Sequence, residues 1–200
     1  MPRASAAAAA ATAATILDTG TALFSERGFG GVSLDDVAAA AGVTRGAVYH
    51  HYANKLGLFQ QVAARLQASV ADAVVSAAEA AGDGPADQLR AGCHAFLDAI
   101  TAGGTAQVLL VDAPSVIGWA RWRELDASHS AAHLKEALAS AGVEPGLVEA
   151  TTAQLSGAMN EAALWLVDTA DDGDGRPGSS PSREQAHRAL DRLLGAVLSE

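Results

Sequence analysis

The chain is poor in cysteine and in aromatic residues. Cys93 is the only cysteine among 200 residues, so no disulfide can form within the chain, and this usage fits a reducing cytoplasm. Aromatic residues make up only 4% of the sequence, whereas alanine, a strong helix former, is abundant. Few segments show the alternation of apolar and polar residues that is typical of β-strands. The composition therefore predicts an all-α fold of long helices.

The sequence lacks the short motifs that mark common classes of enzyme. It has no nucleophile elbow, no phosphate loop and no zinc-type set of cysteines. Asp172 and Asp174 resemble the start of a calcium loop, but the closing glutamate is missing. His129 and His133 are four positions apart and have no third ligand nearby in sequence. We therefore expect no enzymatic activity, no cofactor and no metal.

Long, strongly apolar runs are also missing. The most hydrophobic stretch, residues 108–111, is followed by Asp112 and Pro114, so we expect no segment that spans a bilayer. The N-terminus carries one arginine and an apolar run, but the core of that run is alanine rather than leucine, which argues against a signal peptide. We therefore expect a cytoplasmic protein with no membrane partner.

Positive charge is scarce and unevenly distributed. Thirteen basic residues stand against 23 acidic ones, which gives a formal net charge of −10. Residues 1–55 hold four of each sign, so the other 145 residues hold nine basic and nineteen acidic ones and carry the whole net charge. The N-terminal quarter is therefore the only part of the chain that a phosphate backbone would tolerate.

Capping residues and glycines divide the N-terminal part into short helical segments. We expect residues 1–7 to be disordered and a helix to follow as far as Arg27. Ser33, Thr44 and Asn54 each open a further helix, and the last of these reaches about residue 81.

The remainder of the chain is predicted to be helical as well, with one long loop. Helices are expected at about 85–102, 119–140, 146–170 and 183–198, and a loop is expected over 171–182. These boundaries predict a helix-turn-helix domain over 8–53 and a second domain over 54–200.

Residues 32–59 carry the pattern of a helix-turn-helix. Ser33 and Asp36 form a capping-box pattern, and Gly42 ends the helix that they open. Thr44 then caps another short helix. Two short helices joined by a tight turn with glycine form a helix-turn-helix.

The second of these helices, residues 44–51, suits the major groove of DNA. Gly46 and Ala47 are small enough for close approach to the duplex, and Arg45 can donate two hydrogen bonds to a guanine edge. Lys55 opens the fourth helix, where the helix dipole and the ammonium group both favour a phosphate. Further side chains able to reach phosphates or bases are Thr44, Tyr49 and His50.

The run Tyr49-His-His-Tyr52-Ala-Asn-Lys55, followed by Leu56, Leu58 and Phe59, resembles the signature of the TetR family of transcriptional regulators. The resemblance covers about residues 12–60. It implies that Ser33 contacts a phosphate, that Lys55 contacts another, and that the recognition helix presents Thr44, Arg45, Gly46 and Tyr49. Gly57 departs from the family, which often has glutamate there, and this removes a capping interaction of the fourth helix. The run 109–126 also resembles a segment of some TetR-like ligand domains.

The same resemblance implies a second domain that binds a small molecule and forms a homodimer. Effectors of such proteins bind between the helices of that domain, in apolar clefts with a few polar groups. The expected pocket side chains are Phe96, Ile100, Leu109, Val116, Trp119, Trp122, Leu155, Met159 and Trp165; for the tryptophans, ordinary core packing is the alternative.

The last two long helices are implied to pair with those of a second chain in a four-helix bundle. Leu190, Leu193, Leu194 and Val197 share one face of the final helix. The residues expected at the dimer interface are Leu155, Met159, Leu166, Leu190, Leu194 and Val197.

The sequence thus predicts a ligand-responsive repressor that binds a palindromic, double-stranded operator as a homodimer and responds to an unidentified apolar effector. Two alternatives remain open. One is a TetR-like regulator without a small-molecule ligand, controlled by a protein partner. The other is a helical enzyme or carrier that does not bind DNA.

Overall fold

The computed structural model describes residues 2–127, 130–171 and 183–198, and within these ranges its regular secondary structure is helical. This confirms the predicted all-α fold. The α-helices are α1 Pro2–Arg27, α2 Leu34–Ala41, α3 Arg45–Tyr52, α4 Lys55–Ala80, α5 Pro85–Ile100, α6 Ala113–Val116, α7 Trp119–Ala127, α8 Ser130–Ser140, α9 Val148–Asp171 and α10 Arg183–Val197.

The helices form two compact units. The first unit consists of residues 1–66 and 107–122, and the second of residues 67–106 and 123–200. The chain passes from the first unit to the second within α4. His129, Asp172 and Asp174, which the sequence raised as metal ligands, lie outside the described residues.

Helix α1 begins at Pro2, so the prediction of disorder over residues 1–7 is wrong for residues 2–7. Its alanines have high helix propensity and extend the helix towards the N-terminus. Residues 6–27 are also long and apolar enough, by length and composition alone, to cross a membrane, contrary to the expectation from sequence. However, Ile16 and Phe24 are fully buried, and the Tyr52 hydroxyl donates to the Ala13 carbonyl oxygen at 2.7 Å. Helix α1 is thus a core element of the first unit.

The core of the first unit is aromatic at its centre. The ring of Phe59 makes edge contacts with Phe24 and Phe29, with centroids 5.2 and 5.0 Å apart. Val37 from α2 and Val48 from α3 are fully buried. The apolar faces of α1, α2, α3 and the start of α4 therefore converge, which fixes the orientation of the two short helices.

A π-helical segment, Gln107–Asp112, leads directly into α6, in a stretch for which the sequence had predicted no helix. Its i→i+5 hydrogen bonding would require residue 114 to donate to the carbonyl of Leu109, but Pro114 has no N–H. The Leu109 carbonyl instead accepts the indole N–H of Trp122 at 2.6 Å. At the C-terminal end of the segment, the Asp112 carboxylate accepts the backbone N–H of Phe29 at 2.6 Å, so the segment is fixed at its middle and at this end within the first unit.

The second unit is a bundle in which α5 packs against α8, α9 and α10, and α9 packs against α8 and α10. An ion pair and two hydrogen bonds join α5 to α10: Arg183 and His187 lie 2.5 and 2.9 Å from the Asp98 carboxylate, and His94 lies 3.0 Å from Asp191. Burial alone would raise the pKa of Asp98, but the hydrogen bonds from Arg183 and His187 reverse that effect and lower it. These contacts set the rotation of α10 about its own axis.

Candidate DNA-binding surface

The start of α2 is fixed by a complete capping box. The Asp36 N–H donates to the Ser33 Oγ at 3.1 Å, and the Ser33 N–H donates to the Asp36 carboxylate at 2.8 Å. The hydrogen bonds from the Ser33 side chain and backbone hold the pKa of Asp36 below its ordinary value. The capping box predicted from the sequence is therefore present, and Ser33 lies exposed at the helix N-terminus.

The turn between α2 and α3 has the geometry that requires glycine. Gly42 has a φ of +66°, a left-handed conformation that glycine adopts without strain. Its N–H donates to the Ala39 carbonyl and the Val43 N–H donates to the Ala38 carbonyl, at 3.3 and 3.0 Å, which is a Schellman motif. This motif ends α2 sharply, so that only three residues separate α2 from α3.

Helix α3 is capped by Thr44, whose Oγ1 accepts the Ala47 N–H at 3.2 Å. Val48 faces the core with no exposed surface, whereas Arg45, Gly46, Tyr49 and His50 lie on the solvent side and Ala47 is half-buried. The structure thus brings the predicted recognition residues onto one short helix.

Gly46 is not required by the packing of the protein itself. A Cβ atom built there would meet only the Thr44 Oγ1, at 3.9 Å, and its φ is not in the left-handed region. Glycine in a helix costs about 1 kcal/mol relative to alanine. The small residue therefore leaves space on the outer side of α3, where a partner can approach the backbone.

Arg45 is held by its own chain. Its guanidinium donates to the Asp35 carboxylate at 3.1 Å and to the Tyr49 hydroxyl at 3.2 Å, and lies 5.3 Å from the centroid of the Tyr49 ring. The hydrogen bond to Tyr49, followed by the charge of Asp35, raises the pKa of Arg45. Sequence reasoning did not identify Asp35 as a partner of Arg45, because the two residues are ten positions apart on different helices.

Lys55 is positioned at the start of α4 by an aromatic ring. Its ammonium group lies 4.1 Å from the centroid of Phe29, a cation–π geometry. The N-terminus of α4 is completed by Asn54, whose Oδ1 accepts the Gly57 N–H at 2.8 Å. Sequence reasoning missed Phe29, since it follows the glycine-rich end of α1 and has no helical periodicity to mark it.

The structure explains why glycine occupies position 57, which the family pattern alone did not. A Cβ atom at this position would lie 2.4 Å from the carbonyl oxygen of Tyr52, which is closer than any tolerated contact. Glycine therefore permits the tight connection between α3 and α4 in this chain, and Asn54 supplies the cap.

The two units differ strongly in charge. The first unit contains six basic and five acidic residues, which is a formal charge of +1, whereas the second contains seven basic and eighteen acidic residues, which is −11. The N-terminal ends of α2, α3 and α4 present Ser33, Thr44 and Lys55, and helix N-termini favour anions. The first unit is thus the part of the molecule suited to a polyanion.

The predicted pocket residues are divided between the units. Leu109, Val116, Trp119 and Trp122 belong to the first unit, where Trp122 is buried and Trp119 is exposed. In the second unit, the predicted pocket residues that are buried are Phe96, Ile100, Leu155 and Met159. Trp165 is exposed.

The second unit contains a cavity of about 260 Å³ between α4, α5, α8 and α9, lined in part by Phe96 and Met159. Sequence reasoning missed most of its lining, including Cys93 and Ser130. Small residues and a cysteine give no periodic signal that separates a cavity wall from ordinary core.

A second cleft, between α9 and α10, bears on the predicted dimer interface. Leu190 and Leu194 are already buried within the single chain, and so are Leu155 and Met159. Leu166 and Val197 are half-buried. The exposed apolar side chains on this side are instead Trp165 and Leu193, which line a cleft of about 340 Å³.

Family models match both parts of the chain. Residues 16–62 match the model described as bacterial regulatory proteins of the tetR family. Residues 86–197, more than half of the chain, match the tetracyclin repressor-like C-terminal domain.

Curated relatives are similar over a short region. The HTH-type transcriptional regulator AcrR of Shigella flexneri is 49% identical over 47 residues, which is 24% of this chain and 22% of the relative. The HTH-type transcriptional repressor BepR of Brucella suis is 44% identical over 57 residues, covering 28% and 27% of the two chains. The matched region thus spans about a quarter of the length of each relative.

Solved structures are similar over nearly the full length. A TetR-family transcriptional regulator from Pectobacterium atrosepticum is 28% identical with a TM-score of 0.68, and 97% of each chain is covered. A TetR-like regulator from Rhodococcus has 22% identity and the same TM-score of 0.68, over 94% of this chain and 96% of the other, which supports the fold. Together with the family models that match both halves of the sequence, these findings show that the chain belongs to the TetR family of bacterial regulatory proteins.

Proposed function

We propose that this protein is a cytoplasmic transcriptional repressor that binds a palindromic operator as a homodimer and is controlled by a small molecule. Helix α3 is the reading element, with Arg45 at a base edge and Tyr49 and His50 beside it. Ser33, Thr44 and Lys55 contact phosphates at three helix N-termini. The helix-turn-helix domain over 8–53 is responsible for DNA binding, and the remainder for dimerisation and sensing.

The observation that carries the DNA-binding proposal is the presence of an exposed glycine at position 46. It lies exposed on α3, and an added Cβ would meet open space on the protein side. A residue that lowers helix stability without any packing benefit fits a surface that a duplex must approach closely. Its neighbours Arg45 and Tyr49 are the side chains suited to base and phosphate contacts.

The dimer is proposed to form through the exposed face of α9 and α10. Trp165 and Leu193 are 43% and 49% exposed in the single chain, and the cleft that they line is otherwise formed mostly by apolar residues, among them four alanines. An exposed apolar cleft of this kind marks an interaction surface. A dimer with two-fold symmetry contains two copies of α3, which matches the two halves of a palindrome.

The effector is proposed to bind in the cavity between α4, α5, α8 and α9. Its volume of about 260 Å³ is just below the range for small-molecule sites, roughly 300–1,000 Å³, which favours a small effector. Because α4 contains residues of both units, a change in its position can reach the DNA-binding residues.

Selection from a random pool of duplexes tests the first part of this proposal. We expect a palindromic consensus whose affinity falls steeply with salt, because bound lysine and arginine release counterions from the phosphates. Recovery of no enriched duplex from a folded dimer would contradict the proposal.

Gly46→Ala tests the role of α3 on the selected operator, because it should raise stability and lower DNA affinity. The substitution should raise the free energy of unfolding by about 0.5–1 kcal/mol and weaken operator binding by about 1–3 kcal/mol, because the methyl group holds the duplex away from α3. Urea unfolding and fluorescence anisotropy measure the two effects. A variant that gains stability and keeps full affinity would show that α3 is not the helix that enters the groove.

A further inference from the structure

We propose that the cavity between α4, α5, α8 and α9 takes an elongated, largely apolar ligand that carries a hydrogen-bonding group at its inner end and a positive charge at its outer end. This inference rests on the effector site proposed above and specifies the chemical class of the effector.

The inner part of the cavity is apolar, with one unsatisfied hydroxyl group. Leu89, Phe96 and Met159 are buried there. Ser130 lines the same cavity and is 8% exposed, and its Oγ has no hydrogen-bond partner among the described residues. Buried hydroxyl groups almost always have a partner. A ligand hydroxyl or carbonyl in the cavity would supply the missing one.

No lysine or arginine lies in this lining to anchor an acid. The described lining residues include one basic group, the imidazole of the half-buried His133 on α8. Cys93 is also part of the wall, and burial raises the pKa of its thiol to about 12, so it remains a neutral, weakly polar group. An anionic ligand group would therefore lose its hydration without gaining a permanent counter-charge.

The open end of the cavity is acidic. Glu79, near the end of α4, and Glu136, on α8, are both exposed and both line the cavity. Two carboxylates without a neighbouring lysine or arginine in the lining attract a cation and repel an anion. The preference for a positive charge therefore applies to the outer end of the ligand.

The two ends are separated along α8. Ser130 and Glu136 are six positions apart on this helix, which corresponds to about 9 Å along its axis. A ligand that reaches both must be elongated and must carry its two polar groups at opposite ends, with an aromatic or aliphatic body between them. Arylalkylamines with a polar group on the ring have this form.

Three matched probes test the proposal by calorimetry on the full-length dimer: 4-(4-hydroxyphenyl)butylamine, 4-phenylbutylamine and 4-(4-hydroxyphenyl)butanoic acid. The hydroxyphenyl amine should bind most tightly. Loss of the phenol should weaken binding about two- to twelvefold, the range for one hydrogen bond. The acid should bind at least about tenfold more weakly than the amine at low salt.

Two variants assign these effects to residues. In Ser130→Ala, the two amines should bind equally, and the fold should keep its stability because the Oγ has no partner to lose. In the double variant Glu79→Gln, Glu136→Gln, the preference for amine over acid should fall to near unity. Glu149→Gln, which removes an exposed carboxylate of α9 outside the cavity lining, should leave that preference unchanged.

Failure of this inference can be distinguished from failure of the proposed repressor function. If none of the probes binds, or if the acid binds as tightly as the amine, the ligand class is wrong, even when the same sample binds its operator. If the probes bind in the predicted order but no duplex is bound, the cavity chemistry stands and the DNA-binding function is contradicted.

Discussion

Arg45, the residue proposed to read a base, already has a partner in the free protein. The Asp35 carboxylate lies 3.1 Å from its guanidinium. Binding to guanine must therefore break an ion pair, and exposed pairs of this kind are weak because water screens both charges. Asp35 thus restrains Arg45 until a base provides two better-aligned acceptors.

Asp35→Asn should therefore strengthen operator binding modestly, by up to about fivefold. Anisotropy titrations at constant salt measure the change. Glu26→Gln is the matched control, because Glu26 is an exposed carboxylate of the same unit that pairs with Arg27 rather than Arg45. An equal gain in both variants would show that only the net charge matters, and that Asp35 has no specific hold on Arg45.

Cys93 links the stability of the second unit to pH. Burial raises the pKa of this thiol from an ordinary value of 9.0 to about 12. Above pH 9 the unfolded chain releases the thiol proton whereas the folded chain keeps it, so the unfolded state binds fewer protons and gains relative stability.

Between pH 9 and 12 the free energy of unfolding should therefore fall with a slope of up to about 1.4 kcal/mol per pH unit from this thiol alone. Urea unfolding of the parent and of Cys93→Ala across this range isolates the effect, because the other titrating groups are common to both. Parallel pH profiles would show that the thiol is accessible to water in the folded state.

Among the secondary-structure elements, the π-helical segment 107–112 depends most on distant partners. Its last residue, Asp112, accepts the Phe29 N–H at 2.6 Å and the Gln107 side-chain amide at 3.2 Å. Phe29 in turn supports the ammonium group of Lys55. The segment thus stabilises the loop that follows α1 and, through it, the start of α4.

Asp112→Ala should destabilise the protein by about 1–3 kcal/mol, because it leaves a part-buried N–H without an acceptor. Asp112→Asn keeps an oxygen for Phe29 and should cost less. Urea denaturation orders the variants. Equal, small losses in both would mean that water replaces the carboxylate and that the segment is not fixed by this contact.

For the molecule as a whole, two adjacent leucines of α10 have different roles. One stabilises the folded protomer, and the other belongs to the proposed dimer surface. Leu193 is 49% exposed and Leu194 has no exposed surface. The polar contacts between α5 and α10 set this rotation, with Leu190 and Leu194 turned inwards. The proposed dimer surface therefore includes Leu193 and Trp165, whereas Leu190 and Leu194 stabilise each protomer.

Leu193→Glu should give a folded monomer that has lost tight operator binding, because a palindrome requires two linked helix-turn-helix domains. Leu194→Glu should instead unfold the second unit, since it places an uncompensated charge in the core. Sedimentation velocity and circular dichroism distinguish the two results. A dimeric Leu193→Glu variant with normal affinity would place the interface elsewhere.

The sequence alone determined those features that depend on hydrogen bonds between near neighbours. The capping box at Ser33, the left-handed turn at Gly42 and the cap at Thr44 each involve groups within five residues, so their spacing is sufficient to predict α2 and α3. The family was predicted from the resemblance of the run that begins at Tyr49. Tertiary structure decided the rest. Phe29 and Asp112 meet across 83 positions, and the polar contacts between distant helices decide which leucine of α10 faces solvent. The wall of the cavity likewise comes from four helices, because periodicity shows that a side chain is apolar but not which neighbour fills the space beside it.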